Sequence, residues 1–182
     1  MSTQGTVDIV EGDITRERAD AIVNAANAGL AVGGGVCGAI FRAVGQRQLT
    51  DACARIGRCP TGSAVATPAF GITTARIIVH AVGPIYNRYA PDEARRLLGQ
   101  TYRAAIDVAI EHECVSIAIP AISTGIYGYP LKEACAVAFE VCFGAAGRHA
   151  IEIKLVAFDG HTAESLRHAF ADVTGRKYQS DL

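Results

Sequence analysis

Residues 21–41 read AIVNAANAGLAVGGGVCGAIF, and the order of elements in that stretch decides the fold. Ala21 to Ala25 is a short apolar run containing β-branched residues, the signature of a strand. It runs through a short link into three consecutive glycines, Gly33, Gly34 and Gly35. A helical pattern follows over Gly38 to Ala43. Strand, glycine loop and helix form the repeating unit of an α/β fold, and in such sheets ligands bind where strands end and loops lead into helices. Without Cβ atoms the loop backbone can approach a ligand closely, and the N–H groups at a helix start attract an anion. No Gly-Lys-Ser/Thr follows, and the glycines are not spaced as GxGxxG, so neither the P-loop nor the dinucleotide-binding fingerprint applies. Taken alone, the loop is equally compatible with a phosphate cradle and with a turn that needs positive φ.

Working outward, further strands are expected at Thr6 to Glu11, Ala64 to Thr67, Arg76 to Ala81, Ser116 to Pro120 and Glu152 to Phe158. Helices are expected at Gln46 to Ile56, Asp92 to His112, Leu131 to Ala146 and Ala163 to Val173. Runs such as Ile77-Ile78-Val79 and Ile117-Ala118-Ile119 are apolar on both faces, which suits a sheet covered by helices on each side. In the long helical segment, Ala94, Leu97, Leu98, Tyr102, Ala105, Ile106 and Ala109 recur at spacings that put them on one face. The expectation is a three-layer α/β/α sandwich around a mixed, largely parallel sheet, forming one domain over residues 1–175. The polar residues 176–182 are expected to fray.

A second loop reinforces the first. The strand Ser116 to Pro120 leads into Ala121-Ile122-Ser123-Thr124-Gly125-Ile126-Tyr127-Gly128-Tyr129-Pro130, with a helix opening beyond it. Hydroxyls, glycine N–H groups and another helix start make a second anion cradle. Two cradles at adjacent strand ends suit a diphosphate better than a single phosphate, and Tyr127 is placed to lie against a sugar.

Bulk properties narrow the function class. Half of the 182 residues are hydrophobic, enough for a core that offsets the entropy of ordering the chain. The 17 basic and 18 acidic residues nearly cancel, which argues against nucleic acid as a partner, since such binding rests on phosphate neutralisation. Six cysteines (37, 53, 59, 114, 135 and 142) form no CxxC and lie mostly in apolar stretches, as reduced buried thiols do. Met1 to Gly5 lacks a signal-peptide pattern, and no stretch approaches the roughly 20 apolar residues of a membrane span. A cytoplasmic location is the default expectation. The five histidines show no metal-ligand spacing, and the site calls for no cofactor.

Taken together, Gly12-Asp13-Ile14-Thr15, Ile22-Val23-Asn24-Ala25-Ala26-Asn27, the triple-glycine loop, His80-Ala81-Val82-Gly83-Pro84 and Ile122-Ser123-Thr124-Gly125-Ile126-Tyr127-Gly128 resemble, in order, the motifs of macro domains. The likeness extends from about Val7 to Phe170 and is greatest to the MacroD-type branch. It implies binding of ADP-ribose, free or attached to proteins. By that resemblance, Asp13 accepts from the adenine amino group with Ile14 beside it, and Phe158 covers the adenine face. Backbone N–H groups of Gly33, Gly34, Gly35 and Val36, with those of Ser123, Thr124, Gly125, Ile126 and Tyr127, hold the phosphates. Asn27 bonds the distal ribose, while Asn24 braces the loops and His80 is structural. Residue chemistry leaves three alternatives open, an N-cap role for Asp13, an ordinary core position for Phe158 and a catalytic-base role for His80.

The chain departs from that branch at one telling place. MacroD-type hydrolases carry an aspartate within GGGVDGAIH; here the position is Cys37, and the histidine four residues later is Phe41. Alphavirus macro domains also carry a GVC segment there. A thiol is a poorer general base than a carboxylate near neutral pH. A water can instead be positioned by the α-phosphate of the substrate and by backbone around Gly35, a mechanism that demands geometry more than basicity. Asn27, Gly35 and Cys37 are therefore the candidate catalytic positions. The leading expectation is a hydrolase acting on mono-ADP-ribosylated proteins or O-acetyl-ADP-ribose. The alternative is a non-catalytic reader of ADP-ribose.

Overall fold

The computed structural model describes residues 5–179. Its six strands are β1 (Thr6–Glu11), β2 (Ala21–Ala25), β3 (Ala64–Pro68), β4 (Ile77–Ala81), β5 (Ser116–Pro120) and β6 (Glu152–Ala157). They form one sheet in the order β1-β6-β5-β2-β4-β3. All neighbours pair in parallel except β3 with β4, so the sheet is mixed and largely parallel. The five helices are α1 (Gly35–Val44), α2 (Gln46–Ile56), α3 (Pro91–Glu111), α4 (Leu131–Arg148) and α5 (Gly160–Thr174).

Strand alternation sorts side chains into two cores. Ala21 and Val23 of β2, Ile117 and Ile119 of β5, and Ile153 and Leu155 of β6 pack with α3, α4 and α5. The intervening Ile22, Ala118 and Val156 pack instead with α1 and α2. Because successive Cβ atoms point to opposite faces, one apolar run feeds both layers. The result is the expected α/β/α sandwich.

Local chemistry explains the helix starts. Pro91 opens α3 with Asp92 and Glu93 in its first turn, where they complement the positive end of the dipole. Asp159 caps α5, its carboxylate accepting the Thr162 N–H at 2.8 Å. That cap starts the helix three residues before the expected Ala163 and leaves Phe158 just outside β6. Likewise α1 begins at Gly35, three residues before Gly38, so Gly35, Val36 and Cys37 occupy its first turn. Periodicity misses that turn because glycines carry no apolar signal. Arg76, expected in a strand, precedes β4.

The tail after Gly175 is tied down at Tyr178, against expectation. The Tyr178 hydroxyl accepts the Ile9 N–H at 2.9 Å and donates to the Ile9 carbonyl at 3.2 Å. Its ring packs edge-on against Phe170, 5.2 Å between centroids. Since β1 is an edge strand, a side chain that satisfies both outward backbone groups of Ile9 shields part of that edge. Residues 180–182 lie outside the described residues.

Candidate functional site

At the carboxyl ends of β2, β5 and β6 the loops enclose a cleft of about 780 Å³. Every residue assigned to ligand binding or catalysis from the sequence borders it: Asp13, Ile14, Asn27, Gly33, Gly34, Gly35, Val36, Cys37, Ser123, Thr124, Gly125, Ile126, Tyr127 and Phe158. So do Ala39, Arg42 and Val156, which the sequence reading left out. Ala39 and Arg42 lie on α1 beyond the glycine loop, and the motif that ended at the helix start gave no reason to follow it inward. Val156 is an ordinary core position of β6 whose alternation turns it toward α1.

The first wall of the cleft is the glycine loop. Gly34 stands at the N-cap of α1 with no side-chain cap, and Gly35 has φ +56°. The N–H groups of Gly34, Gly35, Val36 and Cys37 make no backbone hydrogen bond among the described residues. A helix start stripped of its usual cap leaves donors that only solvent or a ligand can satisfy. Gly38 is required for a different reason: a Cβ there would lie 2.7 Å from the Gly33 carbonyl, so only glycine lets the loop rest against the helix.

The second wall is held from below. The buried Tyr102 hydroxyl donates to the Pro120 carbonyl at 3.1 Å and accepts the Ile122 N–H at 3.0 Å, fixing where β5 ends. Beyond it Ser123 has φ +68°, and Tyr129 N–H closes back on the Ser123 carbonyl at 2.9 Å. The Thr124 hydroxyl donates to the Ala121 carbonyl at 2.8 Å. Within this frame the N–H groups of Thr124, Gly125, Ile126 and Tyr127 are also without backbone partners among the described residues. The Ser123 hydroxyl is buried, makes no hydrogen bond, and sits so close to Gly83 that a Cβ at Gly83 would collide with it.

At one end of the cleft, Asp13 and Phe158 are exposed. Asp13 does cap a 3-10 turn (Ile14–Arg16), accepting the Thr15 N–H at 2.9 Å and the Thr15 hydroxyl at 2.7 Å, both on Oδ1. The bond from the Thr15 hydroxyl holds its carboxyl below the usual range, against the opposing effect of partial burial. Its Oδ2 has no partner among the described residues, so the cap leaves an ionised acceptor facing outward. Phe158 is 78% exposed, which rules out the core-aromatic reading.

At the other end the polar groups turn inward. Cys37, only 6% exposed, donates weakly to the Ala31 carbonyl and accepts from Asn24 Nδ2, each at 3.7 Å. Asn24 Nδ2 also lies 3.1 Å from His80 Nδ1, and His80 Nε2 lies 2.9 Å from the Thr67 hydroxyl. His80 is fully buried, and desolvation pushes its pKa down to about 4, so it is neutral. With Asn24 donating to Nδ1, the proton sits on Nε2 and is given to Thr67. The Asn24 carbonyl oxygen is buried and has no partner. Asn27 is committed to its own loop: its Nδ2 donates to the Ala31 carbonyl at 2.8 Å, and its Oδ1 accepts the Ala31 N–H at 3.1 Å. One amide hydrogen and one lone pair remain for a ligand.

A second depression, of about 470 Å³, lies at the opposite, amino-terminal ends of β2, β4, β5 and β6. Its polar groups are largely spent on the fold. Arg76 donates to the His112 carbonyl at 2.7 Å, Lys154 to the Arg18 carbonyl at 2.9 Å, and Asp20 accepts the Val115 N–H at 2.9 Å. Among the described residues, no three His, Cys, Asp or Glu side chains converge as metal ligands. All six cysteines are buried and unpaired, and no described helix is long and apolar enough to cross a membrane.

Comparison with known proteins points the same way as this geometry. The family model for the Macro domain matches residues 23–138. An O-acetyl-ADP-ribose deacetylase of Salmonella typhimurium is 45% identical over 163 residues, covering 86% of this chain and 89% of that protein. The macrodomain of Oceanobacillus iheyensis solved with ADP superposes with a TM-score of 0.89 at 36% identity, over 94% of this chain and 93% of its own. The macrodomain of Trypanosoma brucei in complex with ADP-ribose gives a TM-score of 0.77 at 32% identity, over 88% and 67% of the respective chains.

Proposed function

The chain belongs to the macro domain family, and on that basis we propose that its cleft binds ADP-ribose and hydrolyses both O-acetyl-ADP-ribose and mono-ADP-ribosyl links to proteins. The observation that carries this reading is the pair of unpartnered N–H sets, Gly34 to Cys37 and Thr124 to Tyr127, on opposite walls of one cleft. Eight unsatisfied backbone donors around one cavity suit a dianionic diphosphate, and neutral ligands would leave most of them unpaired.

The remaining residues take roles that follow from their free valences. Asp13 Oδ2 accepts from the adenine amino group, Ile14 lies beside the base, and exposed Phe158 covers its face. With the phosphates held, the distal ribose falls between Asn27, Cys37 and Tyr127. Asn27 uses its spare amide hydrogen and lone pair to orient the ribose hydroxyls. In the protein-linked reaction a water attacks the anomeric carbon, the bond to the protein side chain breaks, and the proton from water ends on the departing group. In the ester reaction water adds to the acetyl carbonyl, and acetate leaves from the ribose oxygen. In the first reaction the substrate α-phosphate and the Gly35 backbone position the water, so orientation replaces a strong base. Cys37 fills the floor beside the ribose: its proton is directed at Ala31 and its sulfur at Asn24. A second reading, a reader without turnover, is favoured by the lack of a carboxylate at position 37.

A time-resolved assay of ADP-ribose release separates the two. Three substrates are needed, linked through an acidic side chain, through serine, and as the O-acetyl ester. Release from at least one at a rate above the buffer control supports the hydrolase. Tight binding with no release from any of them leaves a reader.

A further inference from the structure

Beyond the ADP-ribose cleft, a 3-10 turn (Tyr86–Arg88) follows Pro84 and is fastened to the second wall. The Tyr86 N–H donates to the Tyr127 carbonyl at 2.9 Å, and the Tyr86 ring packs on Tyr129 with centroids 4.7 Å apart. Arg88 closes the same turn, two residues beyond that hydrogen bond, and is exposed, outside the residues that border the cleft. Burial raises the Tyr127 phenol, the Cys37 sulfur adds to that rise, and the Arg88 guanidinium opposes it. The phenol therefore lies within electrostatic reach of the thiol on the cleft floor and of the guanidinium outside. Tyr127 borders the cleft, and Arg88 stands outside its lining in the turn fastened to the Tyr127 carbonyl.

Arg88 is exposed, and its side chain makes no hydrogen bond or ion pair among the described residues. On α3, Arg95 pairs with Glu140 and Arg96 with Glu93, each at 2.7 Å. An exposed, unpaired cation in a turn fastened to the wall of a substrate cleft attracts anionic groups that emerge nearby, and such rim charges set association and partner choice. We propose that Arg88 makes the protein prefer modified partners whose polypeptide is acidic next to the ADP-ribosylated residue. The proposal rests on the reading above that mono-ADP-ribosylated proteins are substrates. A chain attached at the distal ribose must leave past Tyr127, and its next residues meet Arg88. O-acetyl-ADP-ribose carries nothing that reaches so far.

The test uses two peptides of equal length, each carrying ADP-ribose on cysteine through a hydrolysis-resistant S-glycosidic bond, flanked in one by glutamates and in the other by lysines. Calorimetry at low salt should show wild type preferring the acidic peptide by roughly tenfold, the scale of a rim-charge effect against several carboxylates, with the preference shrinking as salt rises. Arg88→Ala should bring the two affinities together, and Arg88→Glu should reverse their order. Free ADP-ribose should bind all three proteins alike, and O-acetyl-ADP-ribose turnover should not change. Equal affinities in wild type, or a preference that survives Arg88→Ala, overturns the proposal. So does a parallel fall in free ADP-ribose affinity, which would move Arg88 into the nucleotide site. Failure of wild type to hydrolyse any native linkage is a separate result: it removes the hydrolase reading while the flank preference stays measurable.

Discussion

The two ends of the cleft are built on opposite plans. At the end proposed for adenine, Asp13 and Phe158 stand out of the fold with a free carboxylate oxygen and a bare ring face. At the end proposed for the distal ribose, Cys37, Asn24 and His80 are buried and bonded to one another or to neighbours, with the Asn24 carbonyl oxygen left unpartnered. On the proposed reading, affinity and turnover depend on different parts of the molecule. The exposed end can lose a side chain at the cost of one turn's cap at most, whereas the buried end is structural framework as well as the proposed reaction site.

The largest expected effect comes from charging the buried end. His80 has a folded-state pKa of about 4, below its ordinary value of 6.5. Above pH 6.5 both folded and unfolded states hold it neutral, and its contribution is fully present. As pH falls from 6.5 to about 4, only the unfolded state takes up the proton, and stability is lost. Two and a half units correspond to about 3 kcal/mol by linkage. Urea unfolding of wild type and His80→Gln across this range measures it. The wild type should lose about that much more stability than the variant, and parallel curves would show that His80 is not the sensitive group.

Next in size is the exposed end. Asp13→Ala should weaken ADP-ribose by roughly 1–3 kcal/mol, the scale of a lost charge-assisted hydrogen bond, and should blur discrimination against the guanine analogue. Base selectivity that survives unchanged would reduce Asp13 to its capping role. Unfolding midpoints should move little, which keeps the contrast with His80.

The smallest effect is expected at Cys37. With its proton on Ala31 and its sulfur on Asn24, Cys37→Ala should keep most of the ADP-ribose release rate and leave its pH profile nearly flat around neutrality. Loss of all release, with activity in wild type rising through a thiol titration, would make the thiol a base. Cys37→Asp should accelerate release, because Asn24 Nδ2 already offers a hydrogen bond to whatever acceptor stands there.

Much of this contrast was legible in the residues. The strand runs and the two glycine loops placed the cleft, because apolar alternation and missing side chains both leave marks in a sequence. The first turn of α1 was hidden by those same glycines, and Phe158 was read into β6 because nothing in its type announces the Asp159 cap that follows. The docking of Tyr178 on Ile9 was not legible either, since it joins residues 169 positions apart through one hydroxyl. Asn27 was read as facing the ligand, and its two bonds to Ala31 depend on a turn, with Leu30 at φ +54°, that composition does not reveal.

Calorimetric titration with ADP-ribose tests the central claim most directly. Two opposed sets of backbone donors, with Asp13 and Phe158 at the adenine end, predict saturable binding with a Kd on the order of micromolar, about −8 kcal/mol. Adenosine, which lacks the diphosphate, should bind far more weakly. No heat and no competition at millimolar ADP-ribose, or equal affinity for adenosine, would contradict the account.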